Sequence, residues 1–307
     1  MLLLKTLEWE GNSSLDICLS KDQHSIAKKV IDVGLSDYNQ MTFGQAYLNI
    51  KKNSLCFVIK NSNDDMVAGL IASMNRGSEI AWVDAIWVNE EKRQLGLGKT
   101  LLKYYEWYAH QNGFKQSQIE VYSFQSYDFF LKLGYDCIKK ITNYSLNKDL
   151  YFLRRPLEHI AALSPGESLI REITQTEVDF KTIKEAIELK IGVQLLKSIE
   201  AKTFDTITVY ASHENKIVGG VILTGILSVA GIQKVWIDES YRGKGLNTKI
   251  FQELLIFLKT SGYQEVIIGT LEERVWAVYE KVGTWERLGK IPGWFGSVDQ
   301  IYGKMLL

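Results

Sequence analysis

The chain has 307 residues, 46% of them hydrophobic and 23% charged, which suits a globular protein with a full core and predicts two domains at roughly 150 residues each. Lys+Arg and Asp+Glu number 36 each, and this zero net charge argues against nucleic acid or anionic lipid as a bulk electrostatic partner. Cys18, Cys56 and Cys137 are odd in number and far apart, and His24, His110, His159 and His213 are isolated, so buried free thiols and no metal site are expected.

The start, Met1-Leu2-Leu3-Leu4, is apolar, but Lys5 and Glu8 cut it short of a signal segment, and no later run reaches bilayer length. A soluble, cytoplasmic protein with no membrane partner is the expectation, with export as an effector left open. An apolar strand follows at 15–19, a helix at 23–33 and a second, shorter helix after it. A three-strand meander comes next at 55–60, 66–73 and 80–88, its first turn rich in turn formers at 61–65. A glycine loop then leads into a helix at 97–111 that stops at Gly113. A strand, a short helix and a closing hairpin complete the set.

The same set then recurs. Slid against itself so that Trp87 falls on Trp236, the sequence also places Arg93 on Arg242, Gly96 on Gly245, Gly113-Phe114 on Gly262-Tyr263, Lys132 on Lys281 and Gly134 on Gly283, without a gap. The second copy reads as a strand at 169–173, a helix at 177–189, a meander at 207–212, 216–223 and 232–237, and a helix at 246–261. Coincidence of rare Trp and Gly positions marks an internal duplication. The join is expected between Arg154 and Ser168, where Pro156, Pro165 and Gly166 lie. Two domains, 1–155 and 168–307, each a mixed α/β sheet flanked by helices, are the predicted architecture.

The loops are Arg93-Gln94-Leu95-Gly96-Leu97-Gly98-Lys99 and Arg242-Gly243-Lys244-Gly245-Leu246-Asn247-Thr248. Each sits between a strand end and a helix start, where free backbone N–H groups and the helix dipole favour an anion. Glycines let the backbone close on a phosphate, and Arg and Lys add charge. A tight turn alone accounts equally well for the glycines. The spacing Arg-x-x-Gly-x-Gly after a strand, however, resembles the pyrophosphate loop of the GNAT N-acetyltransferases. It differs from a Rossmann fingerprint, and it lacks the Gly-Lys-Ser/Thr ending of a P-loop. The resemblance covers nearly the whole of both copies. In the first it includes Gly34-Leu35-Ser36-Asp37-Tyr38-Asn39, Ile86-Trp87-Val88, Ser123-Phe124-Gln125 and Phe129-Phe130-Leu131-Lys132-Leu133-Gly134-Tyr135. In the second it includes Val278-Tyr279-Glu280-Lys281-Val282-Gly283.

The resemblance implies that acetyl-CoA is the co-substrate, its pantetheine arm lying where the fourth and fifth strands part, along Ile86 and Val88 or Val235 and Ile237. It also implies a general acid at the Tyr of Phe-Tyr-x-Lys-x-Gly, which is Tyr279 in the second copy and Phe130 in the first. Asn247 stands where the last loop glycine or alanine belongs. The first copy thus reads as a CoA binder with doubtful chemistry and the second as catalytic. Asp84 falls on the face of Ile86 and Val88 by simple alternation and reads as a structural or substrate-facing acid ahead of a base; its counterpart is Gln233, and in the second copy Glu272 and Glu273 are weak candidates for the base. Trp285, Trp294 and Phe295, with Pro292-Gly293, form either an acceptor wall or core. The expected function is acyl transfer, acetyl foremost, from acyl-CoA by direct attack of a primary amine of a small molecule or protein. The alternative is a catalytically degenerate module that binds acyl-CoA as a regulatory ligand.

Overall fold

In chain order the first repeat runs β1 (Leu2–Trp9), β2 (Ser13–Ser20), α1 (Ile26–Phe43), β3 (Asn53–Lys60), β4 (Met66–Met74), β5 (Ile80–Val88), α2 (Leu97–Gln111), β6 (Gln116–Tyr122), α3 (Tyr127–Lys132), β7 (Asp136–Ser145) and β8 (Lys148–Pro156). The second runs β9 (Ile170–Ile173), α4 (Phe180–Ser198), β10 (Asp205–His213), β11 (Lys216–Ile226), β12 (Val229–Ile237), α5 (Leu246–Thr260), β13 (Glu265–Thr270), α6 (Glu273–Tyr279), β14 (Glu286–Phe295) and β15 (Val298–Leu306). This computed structural model describes residues 1–9, 13–22, 24–43, 53–74, 79–158, 170–173, 179–201, 204–295 and 298–307. The expected join at 154–168 and the side chains of Trp294 and Phe295 lie largely outside the described residues. Among the described residues no helix is long and apolar enough to cross a membrane.

Local sequence explains the repeated elements. In α5 the buried residues Leu246, Ile250, Phe251, Leu254 and Leu258 recur at helical spacing, and in α2 Leu101, Leu102, Tyr105 and Ala109 do the same. Both helices end where Gly113 and Gly262 take left-handed φ values of 86°, and the Phe114 and Tyr263 amides reach back to the Ala109 and Leu258 carbonyls. The 61–65 turn is closed by the Asn61 side chain, which accepts from the amides of Asn63 and Asp65 at 2.9 Å.

The pairing of strands departs from the repeat. One sheet has eight strands in the order β1-β2-β10-β11-β12-β13-β15-β14; the other has seven in the order β7-β8-β6-β5-β4-β3-β9. The opening strand of each repeat therefore joins the meander of the other: β2 lies antiparallel to β10, with Val209 opposite Leu19, and β9 lies antiparallel to β3, with Val58 opposite Arg171. The helices follow their strands. Ala27 and Ile31 of α1 bury against Tyr210 and Ile222, and Ile187 of α4 buries against Cys56, Val58, Ile71 and Trp87. The compact units are accordingly Met1–Gly44, Thr142–Asn147 and Ala201–Leu307 (the second-repeat unit) and Gln45–Ile141 with Lys148–Glu200 (the first-repeat unit). The division at 1–155 and 168–307 follows the repeat in the sequence, whereas the units follow the sheets.

The apolar start forms β1, paired to β2 from Leu2 opposite Leu19 to Trp9 opposite Ser13. Two further expectations change. The segment 34–39 does not separate two helices but lies inside the continuous α1. Gly34 is there because a Cβ would overlap the Trp236 indole. Cys18 and Cys56 are buried as expected, but Cys137 is exposed. The Gly34→Ala variant gains about 1 kcal/mol of helix propensity and incurs an overpacking penalty of about 1–3 kcal/mol against a rigid ring. A net loss of stability in urea titration is the expected result.

Candidate active site

Each sheet opens in the same place. β5 and β6 run parallel from Ile80 opposite Gln116 only as far as Val83 opposite Ile119, and beyond that rung they part. β12 and β13 pair from Val229 opposite Glu265 to Ile232 opposite Ile268 and part likewise. The next residue on the longer strand is a bulge in both: Asp84 is skipped where Ile71 and Ala72 face Ala85 and Val83, and Gln233 is skipped where Ile222 and Leu223 face Lys234 and Ile232. Past the bulge, β5 keeps β4 as neighbour but has lost β6. Its free side is a row of backbone groups that an amide chain can satisfy. Ile86, Val88, Val235 and Ile237 lie on these parted segments, half-buried against the two main cores.

The bulge corrects the placement of Asp84. An extra residue reverses the alternation, so Ile86 and Val88 share the α2 face with Val83, while Asp84 bonds the Ser73 hydroxyl. On the regular strand β4, Ser73 shares its face with Ile71, which packs on the α4 side. Asp84 is thus on the face opposite Ile86 and Val88.

The loops after the parted strands have one conformation twice. Gly96 and Gly245 immediately precede their helices at φ 83° and 79°, with no side chain capping either helix. Two residues earlier, Gln94 and Gly243 are also left-handed, at φ 65° and 75°. A Cβ at Gly96, Gly243 or Gly245 would meet nothing within 4 Å. Packing therefore does not demand glycine there; the backbone sign does, and the space above it is open. Gly98 differs, with Phe129 at 3.4 Å and Val88 at 3.5 Å from a built Cβ. At its counterpart, the Asn247 Oδ1 is buried without a hydrogen-bond partner. Leu246 is inside the core, while Arg93, Leu95, Lys99, Arg242 and Lys244 are exposed and Leu97 and Thr248 half-buried.

The loop arginines do more than add charge. The Arg242 Nε donates to the Ile237 carbonyl at 2.9 Å, and the Arg93 Nε to the matching Val88 carbonyl at 3.4 Å, so each ties its loop to the end of the parted strand. Each also reaches the helix donated by the other repeat: Arg93 Nη2 bonds Gln194 at 3.0 Å, and the Arg242 guanidinium stacks 4.6 Å over the Tyr38 ring. The Tyr38 hydroxyl in turn accepts from Arg274 at 2.5 Å and donates to Glu272 at 3.3 Å. Tyr38 thereby links the loop after β12 to the segment after β13, a residue role that the sequence signalled only through the segment Gly34–Asn39.

Tyr279 ends α6 with its ring among Phe251, Trp276 and Trp285, at centroid separations of 5.3, 6.4 and 6.0 Å. It is 3% exposed, and burial alone pushes its phenol well above the usual range, so it holds its proton at neutral pH. Phe130 fills the same position in the first-repeat unit at 2% exposure. Trp285 is buried and so belongs to this core. Glu273 is a poor base here. Lys290 and Arg287 hold Glu273 below the usual carboxylate range, and Glu272 is paired with Arg274.

The repeated parting of strands, the repeated bulge and the repeated left-handed loop are matched at the sequence level by one family model, that of the acetyltransferase (GNAT) family, over residues 28–135 and again over 173–284. The chain belongs to this acetyltransferase family. Its two GNAT matches together span more than half of its length. Among solved structures, an acetyltransferase from Bacillus cereus ATCC 14579 is 22% identical with a TM-score of 0.38, over 44% of this GNAT chain and 94% of that one. A GNAT family acetyltransferase from Elizabethkingia anophelis, with acetyl-CoA bound, is 18% identical with a TM-score of 0.31, over 33% and 76%. The ribosomal-protein-S18-alanine N-acetyltransferase from Escherichia coli is 17% identical with a TM-score of 0.32, over 48% and 97%. No curated protein matches the chain.

Proposed function

We propose that this GNAT protein transfers an acyl group, acetyl foremost, from acyl-CoA to a primary amine by direct attack. The observation that carries the proposal is the parted strand pair followed by a left-handed glycine loop, built twice at one register. In this reading the open strand sides at Ile86 and Val88 and at Val235 and Ile237 pair with the pantetheine amides. The diphosphate sits on the amides of residues 94–99 and 243–248, at the N-termini of α2 and α5. The buried Asn247 Oδ1, an acceptor without a donor, suits a ligand N–H or a water at that loop. Tyr279 supplies the proton to the departing thiolate. The first-repeat unit, with Phe130 at that place, favours a second reading for itself alone: a bound acyl-CoA without phenol-assisted transfer. Measuring CoA thiol release over a panel of amines separates the two.

Acetyl-CoA is expected to raise the melting temperature, because a ligand held only by the folded state stabilises it by about 2.7 kcal/mol at a hundred times its Kd. The Gly96→Glu variant places a carboxylate and a Cβ at a left-handed position facing the diphosphate. Calorimetric titration is expected to show two sites in the wild type and one in the variant. No heat with any acyl-CoA would refute the acyl-CoA assignment.

A further inference from the structure

The strands of the second-repeat sheet part after Ile232 and Ile268, and the next residue of β13 is Gly269. Val266 and Ile268 point into the α5 core, so Gly269 faces the α1 side. Its opposite residue in β15, Tyr302, faces the same way, as does Gln300, because Ile301 and Met305 fill the α5 core. A Cβ built at Gly269 would lie 2.5 Å from the Gln300 Nε2 and 3.4 Å from the Tyr302 ring. The carboxamide thus stands directly over the point where the strands part. Its Oε1 is buried and has no hydrogen-bond partner. Tyr302 is buried, and the Tyr144 ring meets it edge-on at 5.8 Å; Tyr144 is among residues 142–147, which belong to this unit.

Resting on the acyl-transfer reading, we infer that Gln300 binds the acceptor in the second-repeat unit, and that this acceptor is a primary amine that arrives uncharged, carried on an aromatic ring. A carboxamide oxygen accepts an N–H but takes no proton, so the nitrogen must bring its lone pair free. The carboxamide ends a flexible, half-buried side chain, and turning it brings the oxygen to an arriving N–H. The surroundings disfavour an ammonium. Ile291, opposite Gln300, and Ile267 are buried on this face, where an unpaired cation is costly. Tyr302 and Tyr144 give an aromatic amine rings to pack on. The lone pair attacks the thioester carbonyl carbon, the C–N bond forms and the C–S bond breaks. The sulfur leaves with its electron pair and takes the Tyr279 proton. The acylated nitrogen sheds one proton to water and keeps one hydrogen as the amide, and water restores the phenol.

The charged groups on this face have partners of their own or stand in solvent. Lys234 of β12 and Lys28 of α1 both reach Asp32 of α1, at 2.7 and 3.1 Å. Lys304 of β15 lies 3.8 Å from Glu265 of β13 and donates to the Asn143 carbonyl at 2.7 Å. Glu286 of β14, opposite Lys304, is exposed. Past the end of β13, Glu272 is paired with Arg274 and accepts from the Tyr38 hydroxyl at 3.3 Å. The titration that governs this site is therefore that of the acceptor itself. An amine that is uncharged across the neutral range reacts there at a rate independent of pH. An alkylamine reacts only through its free base, which grows about tenfold for each pH unit.

The test uses the full chain carrying Gly96→Glu, so that release of CoA comes from the second-repeat unit. At saturating acetyl-CoA, kcat/KM for aniline is expected to stay level across the neutral range. For cyclohexylamine, a ring of similar size, it is expected to rise about tenfold per pH unit. Gln300→Leu is expected to lower kcat/KM for aniline about three- to tenfold, the worth of one hydrogen bond. Gln300→Glu, of the same shape, is expected to raise the rate with cyclohexylamine relative to aniline, since a carboxylate holds an ammonium. Aniline left unacylated above the uncatalysed rate, rates untouched by Gln300→Leu, or a ratio unmoved by Gln300→Glu overturns the inference. So does a break in the aniline profile within the neutral range, which would place a protein base at the site. Failure of the acyl-transfer reading itself shows separately, as wild-type protein that takes up no acetyl-CoA by calorimetry.

Discussion

The fragment 168–307 is expected not to fold by itself, although it contains an entire repeat of the sequence. Its sheet lacks β2, which pairs along β10, and its α1 face is bare. Leu15, Ile17, Leu19 and Ile31 are each no more than 4% exposed and come from the first 44 residues. At about 1.5–3 kcal/mol for each fully buried aliphatic side chain, their loss matches the 5–15 kcal/mol that holds a domain together. The open flank of β10 would also present an unpaired strand edge. The same reasoning applies to the fragment 1–155, which lacks β9 and α4. Far-UV circular dichroism and thermal melts of both fragments check this. A cooperative melt of 168–307 near the wild-type temperature would show that each repeat pairs with its own first strand, contrary to the sheets seen here.

Tyr279→Phe is expected to lower turnover by about two to four orders of magnitude, the usual contribution of a positioned acid. The ring keeps its neighbours Phe251, Trp276 and Trp285, so stability and acyl-CoA affinity are expected to change little. Phe130→Tyr is the reciprocal test, and its new phenol would enter an equally buried position. Steady-state rates at saturating acetyl-CoA check both variants. An undiminished rate in Tyr279→Phe would mean that the thiolate leaves without help from this phenol.

Much of the site was legible in one dimension because its parts are local. A loop between a strand and a helix needs left-handed residues at fixed offsets, and Gly96, Gly243 and Gly245 announce them. Gln94 hides the same backbone under a residue that does not, and only its alignment with Gly243 betrays it. The parted strands were inferred through resemblance, and their apex was not readable. One skipped residue at Asp84 reverses every side chain after it, and nothing in the letters of β5 marks the bulge. Glu120 of β6 sits between Ile119 and Val121 like any solvent-face residue of a strand; burial, and after it the charge of Asp84 across the parted rung, push its carboxyl up.

The sequence by itself determined the duplication, the order of elements from the meander onward in each repeat, the helix stops and the glycine positions of the loops, since each rests on residues near one another in the chain. It did not determine which opening strand completes which sheet. Both repeats begin with the same strand–helix pattern, so hydrophobic periodicity is satisfied by either partner. The choice was made by contacts that exist only once the chain is folded: Trp236 filling the space Gly34 leaves, Lys234 reaching Asp32 at 2.7 Å, and Lys190 lying 4.6 Å over Trp87. These are matches of shape and charge between residues far apart in sequence, and pattern carries no record of them.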